Sequence, residues 1–165
     1  MKQIIYLIVI TLFVSSCGFY SFRGASIPTN AKTVSVSYFK TNAPNAPSSL
    51  SETITEGLKD LFLSQTNLNL TDREGDLNFI GEITKFEVKP IAIQANETAA
   101  QNRLTIVINV KYNNNLNEKE SFESTFSRYH DFDGSENLAD VETDLIEIIS
   151  KELLEDVFNK AFVNW

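Results

Sequence analysis

The sequence predicts an α+β domain in which two helices pack on a four-stranded antiparallel or mixed sheet, in the order β-α-β-β-β-α. Three observations carry this. Leu104, Ile106, Ile108, Val110 and Tyr112 alternate with polar residues at the period of a half-buried strand. Two long stretches, near residues 49–66 and 136–162, repeat apolar residues at helical spacing. Turn-forming clusters separate these stretches, and two helices segregated around a run of strands make an α+β layer rather than an alternating α/β fold.

The elements follow in order. Val34, Val36 and Tyr38 alternate with Ser35 and Ser37, which predicts a first strand over about Thr33 to Phe39. Thr41 to Pro47 holds two prolines among small polar residues and reads as a connector. Ser49-Leu50-Ser51-Glu52 fits a capping box. Leu50, Ile54, Leu58, Leu61 and Phe62 then form one stripe of a helix that should end near Gln65 to Asn67. Thr66 to Asp76 is polar and turn-forming, with room for a very short strand at Leu68 to Leu70. Leu77 to Ile91 is rich in strand formers, but its alternation changes phase, and Gly81 is the expected bulge. Ala92 to Asn102 reads as a polar loop. Asn113 to Asn117 reads as a hairpin turn, because asparagine tolerates positive φ. The returning strand covers Lys119 to Tyr129, and Asp131 to Ser135 should end the sheet. The last helix takes Leu138, Val141, Leu145, Ile148, Ile149, Leu153, Val157 and Ala161 as its apolar face.

The chain of 165 residues divides into residues 1–16, residues 17–32 and one domain over residues 33–165. The first part has a single positive charge at Lys2, an apolar run from Ile4 to Val14, and small residues at Ser15 and Ser16. That is the pattern of a secretory signal peptide. The run falls short of the roughly 20 apolar residues that span a bilayer. Val14-Ser15-Ser16-Cys17 matches the bacterial lipobox: an aliphatic residue, two small residues and then cysteine. Cys17 is the only cysteine. Its thiol is the expected site of a diacylglyceryl thioether, with cleavage before it and acylation of the new amino group. One acyl chain holds a protein only marginally, and a second makes the attachment firm. Gly18 stands where many inner-membrane lipoproteins carry aspartate, so the expected location is the periplasmic face of the outer membrane. Residues 17–32 form the tether.

Composition excludes several function classes. The formal net charge of −8 disfavours nucleic acid, which needs a basic face. His130 is the only histidine. It lies beside Asp131 and Asp133, but a metal site needs three or four converging ligands, and the reading preferred is a polar strand end. No Gly-x-Ser-x-Gly elbow and no glycine-rich phosphate loop occur, so the chain is expected to be neither an enzyme nor a cofactor carrier.

The residues after the cut carry a resemblance. Cys17-Gly18-Phe19-Tyr20-Ser21-Phe22-Arg23-Gly24-Ala25-Ser26-Ile27-Pro28 resembles the start of the mature LptE family, the lipopolysaccharide-assembly lipoproteins. The family opens with Cys-Gly-Phe, a gap, an Arg-Gly pair and a proline before the first strand. Here the gap is one residue longer and Phe22 stands where leucine is common, which marks a divergent branch. The resemblance implies a two-helix, four-stranded domain that plugs the LptD β-barrel, supports its assembly and binds lipopolysaccharide. Binding an anionic lipid in an acidic chain needs local cations. Lys85, Lys89, Arg103 and Lys111, on or next to the sheet strands, are the candidates. The competing expectation is a stand-alone lipid-binding carrier or sensor, with an apolar cavity lined by Phe62, Phe86, Phe122 and Phe126.

Overall fold

A strand whose polar residues face one way and apolar residues the other must bury one face and leave the other wet. The computed structural model, which describes residues 27–91 and 100–163, follows that rule. The strands are β1 (Thr33–Val36), β2 (Lys40–Thr41), β3 (Asn69–Leu70), β4 (Leu77–Ile91), β5 (Gln101–Asn114) and β6 (Phe122–Asp133). The helices are α1 (Ser48–Gln65) and α2 (Leu138–Phe162). A short 3-10 turn, Glu118–Glu120, closes the β5–β6 hairpin. The sheet runs β3-β1-β4-β5-β6, with β2 also on β4. β1 and β2 pair with β4 in parallel, and β4, β5 and β6 are antiparallel. Among the described residues the sheet is therefore mixed, with six strands rather than the expected four. Two of the six have two residues each: β3 falls in the very short strand expected at Leu68 to Leu70, and β2 is too short for alternation to mark.

The first strand does not run unbroken from Thr33 to Phe39. It stops at Val36 and resumes at Lys40, with Tyr38 turned out and Phe39 turned in and fully buried. The reason lies across the sheet. A Cβ on Gly81 would run into the Phe39 ring, so the absent side chain is what makes room for that ring. Thr55 of α1 fixes the break: its Oγ1 accepts the Phe39 amide at 3.0 Å and donates to Ser51 O at 2.6 Å.

Gly81 is thus not a bulge. It pairs regularly with Val110, and the register shifts between Ile83 and Lys85. Thr84 is the extra residue, and it returns Phe86 to the core face shared by Leu77, Phe79 and Ile83.

The helix starts differ from expectation, while α1 ends where expected, between Gln65 and Asn67. α1 begins one residue before Ser49, with Pro47 as N-cap and no side-chain cap, so the Ser49–Glu52 box does not form. α1 ends at Thr66, whose amide and hydroxyl both donate to Phe62 O. α2 starts at Leu138, where the Asn137 side chain accepts from the Ala139 amide. Its buried stripe adds Ile146, Leu154, Phe158 and Phe162 to the expected set and leaves Ile148 42% exposed. β6 continues through Asp131 to Asp133 instead of ending there.

Both helices cover the same sheet face, α1 over β1–β3 and α2 over β5 and β6. Between the layers, Phe62 meets Phe79 at 4.9 Å between ring centroids, Phe79 stacks on Tyr112 at 4.8 Å, and Phe158 meets Phe162 edge-on at 5.2 Å. Burial of such side chains contributes about 1.5–3 kcal/mol each. Phe62 and Phe86 lie in this core, and Phe122 and Phe126 pack against it partly exposed. The four phenylalanines offered as a cavity lining are packing residues. The Gly81 contact leads to a specific expectation. Gly81→Ala drives a methyl into a buried ring and should destabilise the fold by about 1–3 kcal/mol in denaturant titration, the range for overpacked cores.

Candidate functional surface

Among the described residues the sheet's other face carries no helix, and it is where their uncommitted chemistry collects. In an antiparallel pair, opposed residues share a face. Lys89 opposes Arg103, Arg103 opposes Asp131, and Lys111 lies between Ile80 and Glu123. Lys85 opposes Val107, on the same side. The structure therefore brings all four sequence-predicted cations, Lys85, Lys89, Arg103 and Lys111, onto this open face. It does not leave them equally available. Lys89 lies 2.9 Å and Lys85 3.7 Å from Glu87 Oε2. Arg103 grips Asp131 with two bonds, Nε to Oδ1 at 2.7 Å and Nη2 to Oδ2 at 2.8 Å, and its guanidinium sits 3.7 Å from the Tyr129 ring centroid. Among the described residues, Lys111 has no carboxylate within ion-pair distance. Its neighbour Glu123 accepts instead from Asn109 Nδ2 at 3.0 Å.

Sequence reasoning missed the residues that shape this face. Tyr38 and Ile80 stand 59% and 47% exposed. Two shallow grooves flank them. One, of about 410 Å³, includes Lys40, Glu82, Asn109 and Lys111; the other, of about 500 Å³, includes Arg73, Glu74 and Asn78. The signal was present: two consecutive aromatics, Tyr38-Phe39, cannot both join an alternating core face.

The rim of the face is built from polar bonds rather than apolar burial. Asp76, just before β4, accepts from the Lys32 and Thr33 amides at 2.8 and 3.0 Å and from Thr33 Oγ1 at 2.9 Å. Asn78 Oδ1 accepts from Gly75 N and Ser35 Oγ, and its Nδ2 donates to Gly75 O. The β5–β6 turn docks on the same corner through Asn115 Nδ2, which donates to Gly75 O at 2.9 Å. The Lys32 amide, followed by the Thr33 hydroxyl and amide, holds the Asp76 carboxyl below its ordinary range. The Lys89 ammonium does the same for Glu87, the Arg103 guanidinium for Asp131, and the Ser135 hydroxyl for Asp133. On the helix side, burial and then the Glu120 charge push the Tyr112 hydroxyl up to about 12, so it stays neutral.

His130 is exposed, with Nδ1 2.9 Å from Asp131 O. Among the described residues no group of three acidic, histidine or cysteine side chains is placed to hold a metal. No helix among them is long and apolar enough to cross a membrane. Cys17 lies outside the described residues.

The depressed carboxyls set a direction for acid stability. A group whose folded pKa lies below its unfolded value stabilises the fold above the unfolded value, and that contribution is lost as pH falls through the folded pKa. The melting temperature is therefore expected to hold to about pH 4 and to drop below it. Asp76→Asn should lower the neutral-pH value and flatten the acid limb; a thermal melt series from pH 7 to pH 2 reads both.

Comparison with known proteins adds the following. The family model described as LptE, Lipopolysaccharide-assembly, matches residues 31–161. Comparison with curated protein sequences gives no match. Among solved structures, a minor lipoprotein from Acinetobacter baumannii is similar with a TM-score of 0.50 at 12% identity, over 79% of this chain and 91% of that one. A protein from Xanthomonas campestris gives a TM-score of 0.50 at 12% identity, over 82% and 91%. At such identities the structural likeness speaks for the fold alone.

Proposed function

Because this chain belongs to the LptE lipopolysaccharide-assembly family, we propose that it is a lipid-anchored outer-membrane lipoprotein that plugs an LptD-type β-barrel, supports the barrel's assembly and assists insertion of lipopolysaccharide. The observation that carries the reading is the extent of the family match, which takes in every strand and helix from Thr33 almost to the end of α2. The role is one of binding and support rather than catalysis.

Three features suit it. Acyl chains on Cys17 hold the domain at the inner leaflet, each buried methylene contributing about 0.8 kcal/mol. Ile27 and Ala31 already pack against the core, so the domain begins about ten residues after Cys17. The open sheet face offers what a lumen wall or an anionic saccharide lipid can contact: exposed Tyr38 and Ile80 beside lysines. Lys111 is the cation best placed to meet a phosphate. Lys85, Lys89 and Arg103 must first release Glu87 or Asp131. Lys111→Glu is therefore expected to weaken binding of lipopolysaccharide micelles by about three-fold, more than Lys89→Glu does, in a fluorescence titration. That is the scale of one exposed charge contact.

The experiment that tests the function is a crosslinking pull-down from intact outer membranes. The wild-type chain should capture a very large barrel protein, and Cys17→Ala should capture much less. Recovery of the wild-type chain as a free monomer in mild detergent, with no barrel, would contradict the reading.

A further inference from the structure

A sheet edge is a row of amide donors and carbonyl acceptors, and the chemistry of that row defines its ligand: only an extended polypeptide can pair with all of it. This sheet has two long open edges among the described residues. One is the half of β4 beyond its pairing with β2, from Lys85 to Ile91. The other is the whole outer side of β6. The short β3 closes the remaining end with two residues.

The two open edges are built differently. The β4 edge carries the devices that discourage strand addition. Thr84 bulges it, Lys85 and Lys89 charge it, and Pro90 removes an amide. Which way that amide would point follows from the ladder. Gly134 N donates to Ala100 O, so even-numbered residues of β5 and β6 turn their backbone groups towards each other. Odd-numbered residues of β5 face β4, and Pro90, opposed to Asn102, lies at a position whose backbone faces outward.

β6 carries neither the bulge nor the proline, although Glu123, Arg128, Asp131 and Asp133 charge it. It has no proline, and its register with β5 runs unbroken from Phe122 to Phe132 and Asp133. By the same phase, the amides and carbonyls of Glu123, Thr125, Ser127, Tyr129, Asp131 and Asp133 point away from the sheet. Ser124, Thr125 and Ser127 are short side chains at its centre that leave the backbone accessible, and Thr125 and Ser127 are exposed. Behind the strand, on the helix side, Arg128 makes two bonds to Asp156 of α2, at 2.6 and 2.7 Å, which leaves the outer edge clear of α2.

We infer that the outer edge of β6 is a strand-addition site for an extended segment of a second, different polypeptide. A second copy of this chain fits poorly. Antiparallel pairing across a two-fold axis that keeps the sheet faces and uses nearly the whole strand places Glu123 opposite Asp131 or Asp133, between chains that each carry a formal charge of −8. Resting on the function proposed above, the donor is a segment of the barrel polypeptide that lies outside its closed wall, a lumenal or periplasmic stretch, because every wall strand of a barrel is already paired on both sides.

Amide hydrogen exchange on the full-length lipoprotein, alone and in complex with its LptD-type barrel in mild detergent, tests this. Free, the outward amides of Thr125, Ser127 and Tyr129 exchange fast. In the complex they should slow by about ten-fold or more, as newly bonded amides do. Two variants give a second reading. Ser127→Pro removes an outward amide without touching the β5 ladder and should lower complex recovery about ten-fold, while Ser127→Ala stays within two-fold of wild type. A complex that forms with these amides still exchanging fast overturns the edge site and leaves the function standing. Failure of any complex to form overturns both. Self-association of the free protein with the same amides protected makes a second copy the occupant and overturns the inference.

Discussion

The packing of the Phe39 ring into the space left by Gly81 is the constraint on which the rest of the arrangement depends. The inward turn of Phe39 interrupts the first strand, so that β1 and β2 meet β4 as two short parallel pieces. It also places the Phe39 amide under Thr55, whose hydroxyl is used twice, once as acceptor for that amide and once as donor to Ser51 O. A buried amide left unpaired costs about 1–3 kcal/mol, so the break and the helix position specify each other. The same turn sends Tyr38 outward, beside Ile80. One glycine thus links core packing, the seat of α1 and the shape of the exposed face.

The two faces of the sheet are chemically opposite. Towards the helices, Phe62, Phe79, Tyr112, Phe158 and Phe162 interlock as an aromatic layer. Away from them, Lys85, Lys89, Arg103 and Lys111 alternate with Glu82, Glu87, Asp131 and Glu123. Exposed ion pairs of this kind contribute little to stability. Their mixed signs keep an uncovered sheet face soluble, and they exchange partners readily when another polar surface arrives. The mixed-charge face and the β6 edge, unpaired among the described residues, offer shape and exchangeable polar contacts rather than a deep pocket.

How much of this was legible in the sequence differs by element. The clean alternation from Leu104 to Tyr112 located β5, and the polar residues between fixed which side Arg103 and Lys111 occupy. The phase change in β4 was visible, but its cause was not. Glycine is the usual marker of a bulge, yet Gly81 serves a ring from another strand, and Thr84, an ordinary strand former, is the extra residue. Long-range contact of that kind has no local signature. β2 was beyond pattern reading because two residues cannot show a period, whereas β3 lies within the short strand expected at Leu68 to Leu70. The helix α2 stripe was placed one flank off: Ile148 is exposed and Ile146 is buried. The charged character of the site was legible. The pairing that leaves Lys111 apart from the other three cations was not, since it depends on strands distant in sequence.

The family match over residues 31–161 and the fold agree with the short motif from Cys17 to Pro28, although the two lie on nearly separate parts of the chain. On the function proposed above, one part attaches and the other part fits. The most direct measurement of that account is the amount of mature, correctly folded LptD-type barrel in the outer membrane after this chain is depleted. A steep fall in mature barrel, restored by re-expressing the wild-type chain, is the expected result. An unchanged level of mature barrel after complete depletion would contradict it.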